Sequence, residues 1–166
     1  FLYPAHSFAL PGATVGFSLK ATDANYVATS LPSRLSWSSN YGTLGSNSLT
    51  LDGASDSAIP AVTVNVKADG MRASASVTVL SQVTDIRITK EDGKTKVKAL
   101  HVPGESDVQL AAAATYYGRS VISAANSFTW ETTGGVGSIT QDGKFTAASV
   151  SKLTEGTIKV SYGQTS

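Results

Sequence analysis

The chain has 166 residues, of which 41% are hydrophobic and 15% are charged, and its formal net charge is +1. This composition permits a buried core and excludes a chain that is disordered by composition. The near-balanced charge gives no basic face for nucleic acid, so we expect no nucleic-acid partner. The absence of cysteine excludes a disulfide framework, a thiolate metal site and a cysteine nucleophile. No apolar span of about 18 residues occurs, so we expect no membrane insertion.

An internal repeat organises the chain. The segment LPGATVGFSLKATD at residues 10–23 matches VPGESDVQLAAAAT at residues 102–115, and SRLSWSS matches NSFTWET further on. YGTLGSNSLTL then matches GGVGSITQDGKFTA, and VTVNVKADG matches GTIKVSYGQ. Because the four matched blocks keep the same order, the repeat predicts two homologous domains, residues 1–82 and 83–166.

Both repeats have the pattern of strands and turns. Apolar residues alternate with Ser, Thr or Lys, which is typical of a sheet with one solvated face. Turn signals separate these runs at Pro11-Gly12, Asp69-Gly70, Asp92-Gly93, Pro103-Gly104 and Asp142-Gly143. The run LAAAATYY is helix-leaning in composition but keeps the alternation, so we predict a strand there. The fold class predicted is all-β, with two tandem immunoglobulin-like β-sandwich domains of about seven strands each.

One hairpin register follows from the Asp69-Gly70 turn. A two-residue turn there predicts three facing pairs with apolar residues on both arms: Val66 with Ala73, Val64 with Ala75, and Val62 with Val77. Such a shared inward face is what a correct register requires.

The second repeat has an equivalent first arm over residues 158–162, followed by Gly163-Gln164, and the sequence stops at Ser166. We therefore expect the second domain to lack its last strand and to have an open sheet edge. Two hypotheses account for this: the chain is a fragment of a longer extracellular chain, or another chain supplies the strand by exchange.

The two tryptophans occupy matching places in the repeat. Trp37 and Trp130 alternate in phase with Leu35 and Phe128, which predicts that all four face inward. We expect each tryptophan to fill the core of its sandwich.

The motifs FTW, GSITQDGKFTA and GTIKVSYG resemble those of the group 2 bacterial immunoglobulin-like (BIG2-like) domains, which occur in tandem on surface and secreted proteins. The first repeat departs from the pattern, because GTLGSNSLTL has lost the G-x-F-T-A ending. The run VGFSLKATDANY before LSW also resembles immunoglobulin-like accessory modules of bacterial phosphodiester glycosidases and surface-layer-type proteins. The resemblance implies an immunoglobulin-like fold at the cell surface or outside the cell, and little about activity.

Few residues are candidates for catalysis or metal binding. His6 and His101 each precede a Pro-Gly turn, and neither has a second histidine at ligand spacing. Asp52 and Asp56 share the loop LDGASDS, which makes them a sparse calcium candidate, with an ordinary polar loop as the alternative. We therefore expect no catalytic residue, no metal and no cofactor.

Four tyrosines are the candidates for ligand contact. Tyr26, Tyr41, Tyr116 and Tyr117 lie at predicted strand ends or turns, where an exposed ring could stack on a sugar. Successive strand residues face opposite sides, so one ring of the Tyr116-Tyr117 pair is expected to point outward. The alternative is that these rings cover sheet edges.

The sequence thus predicts a non-catalytic extracellular spacer or adhesion module that presents other domains of a bacterial surface or secreted protein. The expected partners are neighbouring domains of the same polypeptide, cell-wall polysaccharide, or another surface protein. The alternative is a carbohydrate-binding module attached to a glycoside-acting enzyme.

Overall fold

The computed structural model describes residues 1–53 and 61–166, and within these ranges every regular element is a strand. The chain divides into two compact units, Phe1–Ser81 and Gln82–Ser166. The predicted all-β fold class is confirmed, and the sheets of each unit are consistent with a β-sandwich. In the described part of the chain, no helix of the length and hydropathy needed to span a membrane is found.

The first unit contains many short strands. They are β1 (Leu2–Tyr3), β2 (His6–Ala9), β3 (Thr14–Gly16), β4 (Ser18–Leu19), β5 (Ala21–Thr22), β6 (Ala28–Thr29), β7 (Ser36–Ser39), β8 (Thr43–Leu44), β9 (Ser48–Thr50), β10 (Val62–Ala68) and β11 (Met71–Val79). Its main sheet has the order β2-β11-β10-β7, and a second sheet has the order β3-β9-β8. Strand β1 pairs with β4, and β5 pairs with β6.

The β10–β11 hairpin has the register predicted from the Asp69-Gly70 turn. All three predicted pairs are present: Val66 with Ala73, Val64 with Ala75, and Val62 with Val77. Asp69 and Gly70 both have positive φ, 46° and 81°, as a two-residue hairpin turn of the primed type requires. The inward valines are almost fully buried, with Val64 at 0% exposure.

A parallel strand completes the main sheet of the first unit. Strand β2 pairs in parallel with β11, with Ser7 beside Val77 and Ala9 beside Val79. The backbone of Leu80 also donates to the carbonyl of Ala9, with an N···O distance of 2.9 Å. Strand β11 is therefore held on both edges, by β10 and by β2.

The second unit contains longer strands. They are β12 (Asp85–Lys90), β13 (Asp107–Tyr116), β14 (Arg119–Ile122), β15 (Thr129–Thr133), β16 (Gly137–Ile139), β17 (Lys144–Ala147) and β18 (Thr157–Ser161). Strand β13 is central: it pairs with β12 on one edge, and with β14 and β17 at the two ends of the other. Strand β13 includes most of the LAAAATYY run, so the strand prediction there is confirmed. Strand β15 pairs with β18.

The two tryptophans are not equivalent in burial. Trp130 is 4% exposed, as predicted for a core residue, whereas Trp37 is only half-buried and Leu35 is 37% exposed. The prediction was therefore wrong for Leu35 and only partly right for Trp37. In the second unit the β16–β17 connection covers the indole, since a Cβ at Gly143 would lie 3.2 Å from Cζ2 of Trp130. The first unit has lost the G-x-F-T-A motif, and its corresponding β8–β9 hairpin is short.

Strand β18 ends in a tight turn at Gly163-Gln164. Tyr162 and Thr165 form an antiparallel bridge, with N···O distances of 2.9 and 3.1 Å. The same bridge joins Ala68 and Met71 around the Asp69-Gly70 turn of the first unit. Among the described residues, β15 is the one strand that pairs with β18.

Candidate functional site

The tyrosines of the first unit lie on separate loops. Tyr26 is 80% exposed and lies between β5 and β6, where its φ is 62°. The Asp23 carboxylate organises this loop by accepting hydrogen bonds from the backbone of Asn25 at 2.8 Å and of Val27 at 3.0 Å. Tyr41 follows β7 and is half-buried, with its backbone bonded to the Ser39 hydroxyl. These local bonds explain the loop conformation, and a ligand role for either ring stays a prediction.

The tyrosines of the second unit form a pair at the end of β13. Their ring centroids are 4.7 Å apart at an interplanar angle of 77°, an edge-to-face arrangement. Tyr117 is 77% exposed and Tyr116 is half-buried, so one ring points outward, as the alternation predicted. Tyr117 has a φ of 45°, and its backbone donates to the Thr84 hydroxyl at 2.8 Å. The pair is thus a turn feature that also exposes one aromatic ring.

The most strongly perturbed carboxylate lies in a turn. Asp92 accepts a hydrogen bond from the Thr95 hydroxyl and from the backbone of Lys94 and Thr95, the last two at 2.7 and 2.8 Å. The Thr95 hydroxyl bond, followed by the two backbone bonds, lowers the pKa of Asp92 from 3.8 to about 2. The carboxylate therefore stays ionised and stabilises the loop after β12.

A charged pair joins β13 to β17. Lys144 Nζ lies 2.7 Å from Asp107 Oδ2, and the Thr146 hydroxyl donates to Asp107 Oδ1 at 2.8 Å. The hydrogen bond from Lys144, then that from Thr146, lowers the pKa of Asp107, and the same contact raises the pKa of Lys144. In the nearby turn a hydrogen bond from the Thr140 hydroxyl lowers the pKa of Asp142. Each of these groups is exposed and bonded across a strand pair or a turn.

The shifted groups lie outside the pKa range of a general acid or base. A general acid or base needs a pKa near the working pH, and the shifts of Asp92, Asp107 and Lys144 all lie in the opposite direction. His6 Nε2 lies 2.9 Å from the Thr78 hydroxyl, across the β2–β11 pair, and its ring is tilted against that of Phe8 at a centroid distance of 4.9 Å. The His6–Thr78 contact thus joins β2 to β11 through their side chains.

The described ranges offer few clustered side chains that could bind a metal ion. Within residues 1–53 and 61–166, no group of three or more His, Asp or Glu side chains is placed to hold a metal ion. Asp52 lies in the described part, whereas Asp56 lies outside it, so the calcium prediction for this pair is untested. His101 is exposed at the end of an irregular segment.

Each unit has an apolar groove that sequence reasoning did not find. In the first unit a groove of about 540 Å³ is bordered by the exposed side chains of Phe1, Leu31 and Met71. In the second unit a groove of about 700 Å³ lies between β18 and residues 97–104. Leu153, which is 85% exposed, borders this second groove. The available signal was the presence of large apolar residues outside the alternating strands.

Comparison with known proteins finds that the chain is similar to solved structures. No protein-family model matches the chain, and no curated protein is similar to it. Domains 5–6 of the surface-layer protein SbsC match over 99% of this chain and 90% of theirs, with 16% identity and a TM-score of 0.44. A structure of domains 4–9 of SbsC matches over 99% of this chain and 29% of its own, with 18% identity and a TM-score of 0.37. At these identities and TM-scores, the similarity supports no conclusion about function.

Proposed function

We propose that the chain is a non-catalytic, immunoglobulin-like module of a bacterial surface or secreted protein, and that it acts by holding and presenting other domains. Its partners are then neighbouring domains of the same polypeptide or another surface protein. The same class of protein is represented by the two SbsC structures; the support for the proposal comes from this chain's own residues.

One observation carries the proposal: the perturbed ionisable groups serve turns and strand pairs. Asp92 is bonded within its own loop, and Asp107 is bonded to Lys144 and Thr146 across β13 and β17. Carboxylates with lowered pKa values are fixed negative charges at neutral pH, which suits a structural role and not proton transfer.

A carbohydrate-binding role is the second candidate, and one observation favours it. Tyr117 and Tyr26 expose 77% and 80% of their surface, so both rings are accessible to a ligand. An exposed ring could stack on a sugar, with Tyr116 supporting Tyr117 from the side. Carbohydrate binding requires these exposed rings, whereas presentation of other domains does not.

A pull-down on insoluble bacterial cell wall separates the two candidates. The presentation module is expected to remain in the supernatant, and the Tyr116→Ala, Tyr117→Ala and Tyr26→Ala variants are expected to behave as the parent chain does. Tyr3→Ala is the matched control, since Tyr3 is an exposed ring outside the candidate set, at 70% exposure. Retention that is lost with Tyr117→Ala but kept with Tyr3→Ala would establish the carbohydrate-binding role instead.

A further inference from the structure

We propose that Asp69, at the tip of the β10–β11 hairpin, is a modification site at which the residue isomerises spontaneously to isoaspartate. The reaction needs no enzyme and no co-reactant besides water. The proposal is independent of the presentation role, because it rests on comparing turns in which an aspartate precedes a glycine. Three such turns have described surroundings on both sides: Asp69-Gly70, Asp92-Gly93 and Asp142-Gly143. A fourth pair, Asp52-Gly53, borders residues 54–60, which lie outside the described part.

The reaction is an attack of the backbone on the neighbouring side chain. The backbone nitrogen of Gly70 bonds to Cγ of Asp69, and the hydroxyl of the neutral carboxyl leaves with the amide proton as one water. The product is a five-membered succinimide ring. Water then adds to the original backbone carbonyl carbon and breaks its bond to nitrogen, so the chain now runs through Cβ and Cγ. Glycine favours this attack because no side chain crowds its nitrogen.

The attacking nitrogen differs between the three turns. In the described part of the chain, no group accepts a hydrogen bond from the backbone N–H of Gly70. Gly93 donates to the Lys90 carbonyl at an N···O distance of 3.0 Å. Gly143 donates to the Thr140 carbonyl, also at 3.0 Å. The latter two nitrogens must each break a hydrogen bond before they can attack, whereas the nitrogen of Gly70 has no such bond to lose.

The carboxyls of the two bonded turns are held in place and kept ionised. Asp92 accepts hydrogen bonds at both oxygens, from the Thr95 hydroxyl and from the backbone of Lys94 and Thr95. The hydroxyl bond and then the backbone bonds lower the pKa of Asp92 from 3.8 to about 2. The Thr140 hydroxyl likewise lowers the pKa of Asp142. Since the reaction consumes the neutral carboxyl, a fall in pKa from 3.8 to about 2 reduces the reactive form about 60-fold at neutral pH.

Asp69 lacks these restraints. Among the residues that the structure describes, its carboxylate accepts no hydrogen bond and forms no ion pair. Asp69 and Gly70 are both exposed, so water reaches the side chain and the succinimide. The turn also lies at the end of a hairpin, where local opening is easiest and lets the two groups approach each other. Free nitrogen, free carboxyl and solvent access therefore coincide at this one of the three turns.

The product changes the tip of the hairpin. The primed two-residue turn depends on positive φ at both positions, 46° at Asp69 and 81° at Gly70. Isoaspartate adds one methylene to the main chain, so this turn geometry is lost and the closing pair of Ala68 with Met71 opens. The pair of Val66 with Ala73 lies further from the turn, and Val66 is only 3% exposed, so we expect the opening to stop there.

The test stores the intact folded chain at mildly acidic pH and maps isoaspartate over time by peptide mass spectrometry, with electron-transfer fragmentation to distinguish the isomers. We expect isoaspartate at Asp69 to form at least about tenfold faster than at Asp92 or Asp142. In urea the three rates are expected to become similar, because the hydrogen bonds of the turns are lost. Equal rates in the folded chain, the same preference for Asp69 in urea, or isoaspartate at Asp69 in urea alone would overturn the proposal.

A pair of threonine variants tests the reason for the selectivity. Thr95→Val removes the hydroxyl donor to Asp92 and is expected to speed isoaspartate formation there several-fold, with the rate at Asp69 unchanged. An unchanged rate at Asp142, in the same unit, shows that the variant is folded. Thr146→Val is the matched control, because its hydroxyl is bonded to Asp107, which precedes valine and not glycine. No acceleration at Asp92 in Thr95→Val, or equal acceleration in both variants, would contradict the proposal.

Discussion

At the residue scale, glycines and carboxylates fix the turns of this fold. Gly143 has a φ of 85°, and a Cβ there would lie 2.5 Å from the carbonyl oxygen of Leu110 as well as against the Trp130 indole. Glycine is therefore required twice over at this position, once for backbone conformation and once for space. Gly137 is required for the same two reasons, since its φ is 148° and a Cβ there would clash with the carbonyl oxygen of Thr146.

Replacing Gly143 tests this requirement. Gly143→Ala is expected to destabilise the second unit by more than the ~1–2 kcal/mol that a left-handed alanine costs, because the backbone near Leu110 must also move. Gly93→Ala is the matched control, since Gly93 has a φ of 67° with open space where its Cβ would lie. Urea unfolding of both variants measures the difference. Equal destabilisation by the two substitutions would contradict the packing role of Gly143.

Asp92 gives the clearest pH dependence. Its pKa falls from 3.8 unfolded to about 2 folded, mainly through the Thr95 hydroxyl, so its contribution to stability is present above pH 3.8 and is lost as the pH falls through 2. The stability difference between the parent chain and Asp92→Asn is therefore expected to shrink over that window. Unfolding curves at pH 2 to 5 measure it, with Glu91→Gln on the same loop as the control. A pKa near 3.8 in an NMR titration of Asp92 would contradict the assignment.

At the element scale, the G-x-F-T-A hairpin sets how well each tryptophan is covered. In the second unit β16 and β17 pair with Ile139 facing Phe145, and Phe145 and Trp130 are both 4% exposed. In the first unit the corresponding hairpin of β8 and β9 is short, with only two facing pairs. Trp37 contacts Phe17 at a centroid distance of 6.4 Å and stays half-buried.

Fluorescence of single-tryptophan variants measures this asymmetry. Trp130→Phe leaves Trp37 as the emitter, and Trp37→Phe leaves Trp130. We expect the Trp130→Phe variant to emit at longer wavelength and to be quenched more strongly by acrylamide, because its remaining indole is more exposed. Identical quenching of the two variants would show that the tryptophans are equally covered.

Local patterns predicted much of the architecture and missed the features that depend on distant segments. The strand periodicity of β13 and the β10–β11 register follow from alternation and from the Asp69-Gly70 turn, which are local properties. The parallel pairing of β2 with β11 joins distant parts of the chain and has no local signal. Half-burial of Trp37 was missed for another reason, since the repeat gave both tryptophans the same place although the β8–β9 hairpin of the first unit is short. The grooves were missed because each is lined by residues from several separate segments.

At the scale of the whole molecule, the groups with shifted pKa values stabilise the strands and turns of the fold itself. The described carboxylates with shifted pKa values are bonded to strands and turns, and the exposed tyrosines arise at turns with positive φ, as Tyr26 and Tyr117 show. We therefore expect presentation of other domains to depend on folding and not on any particular surface ring.

Display of a reporter on the surface of bacteria tests that claim most directly. The chain is placed between a membrane-anchored carrier and an epitope, and capture of whole cells by antibody-coated beads measures presentation. Trp130→Ala, which should cost about 3–5 kcal/mol, is expected to reduce capture sharply. The combined alanine variant of Tyr26, Tyr41, Tyr116 and Tyr117 is expected to present the epitope as the parent does. Full capture with Trp130→Ala, or loss of capture in the tyrosine variant when it is shown to be folded, would contradict the presentation role.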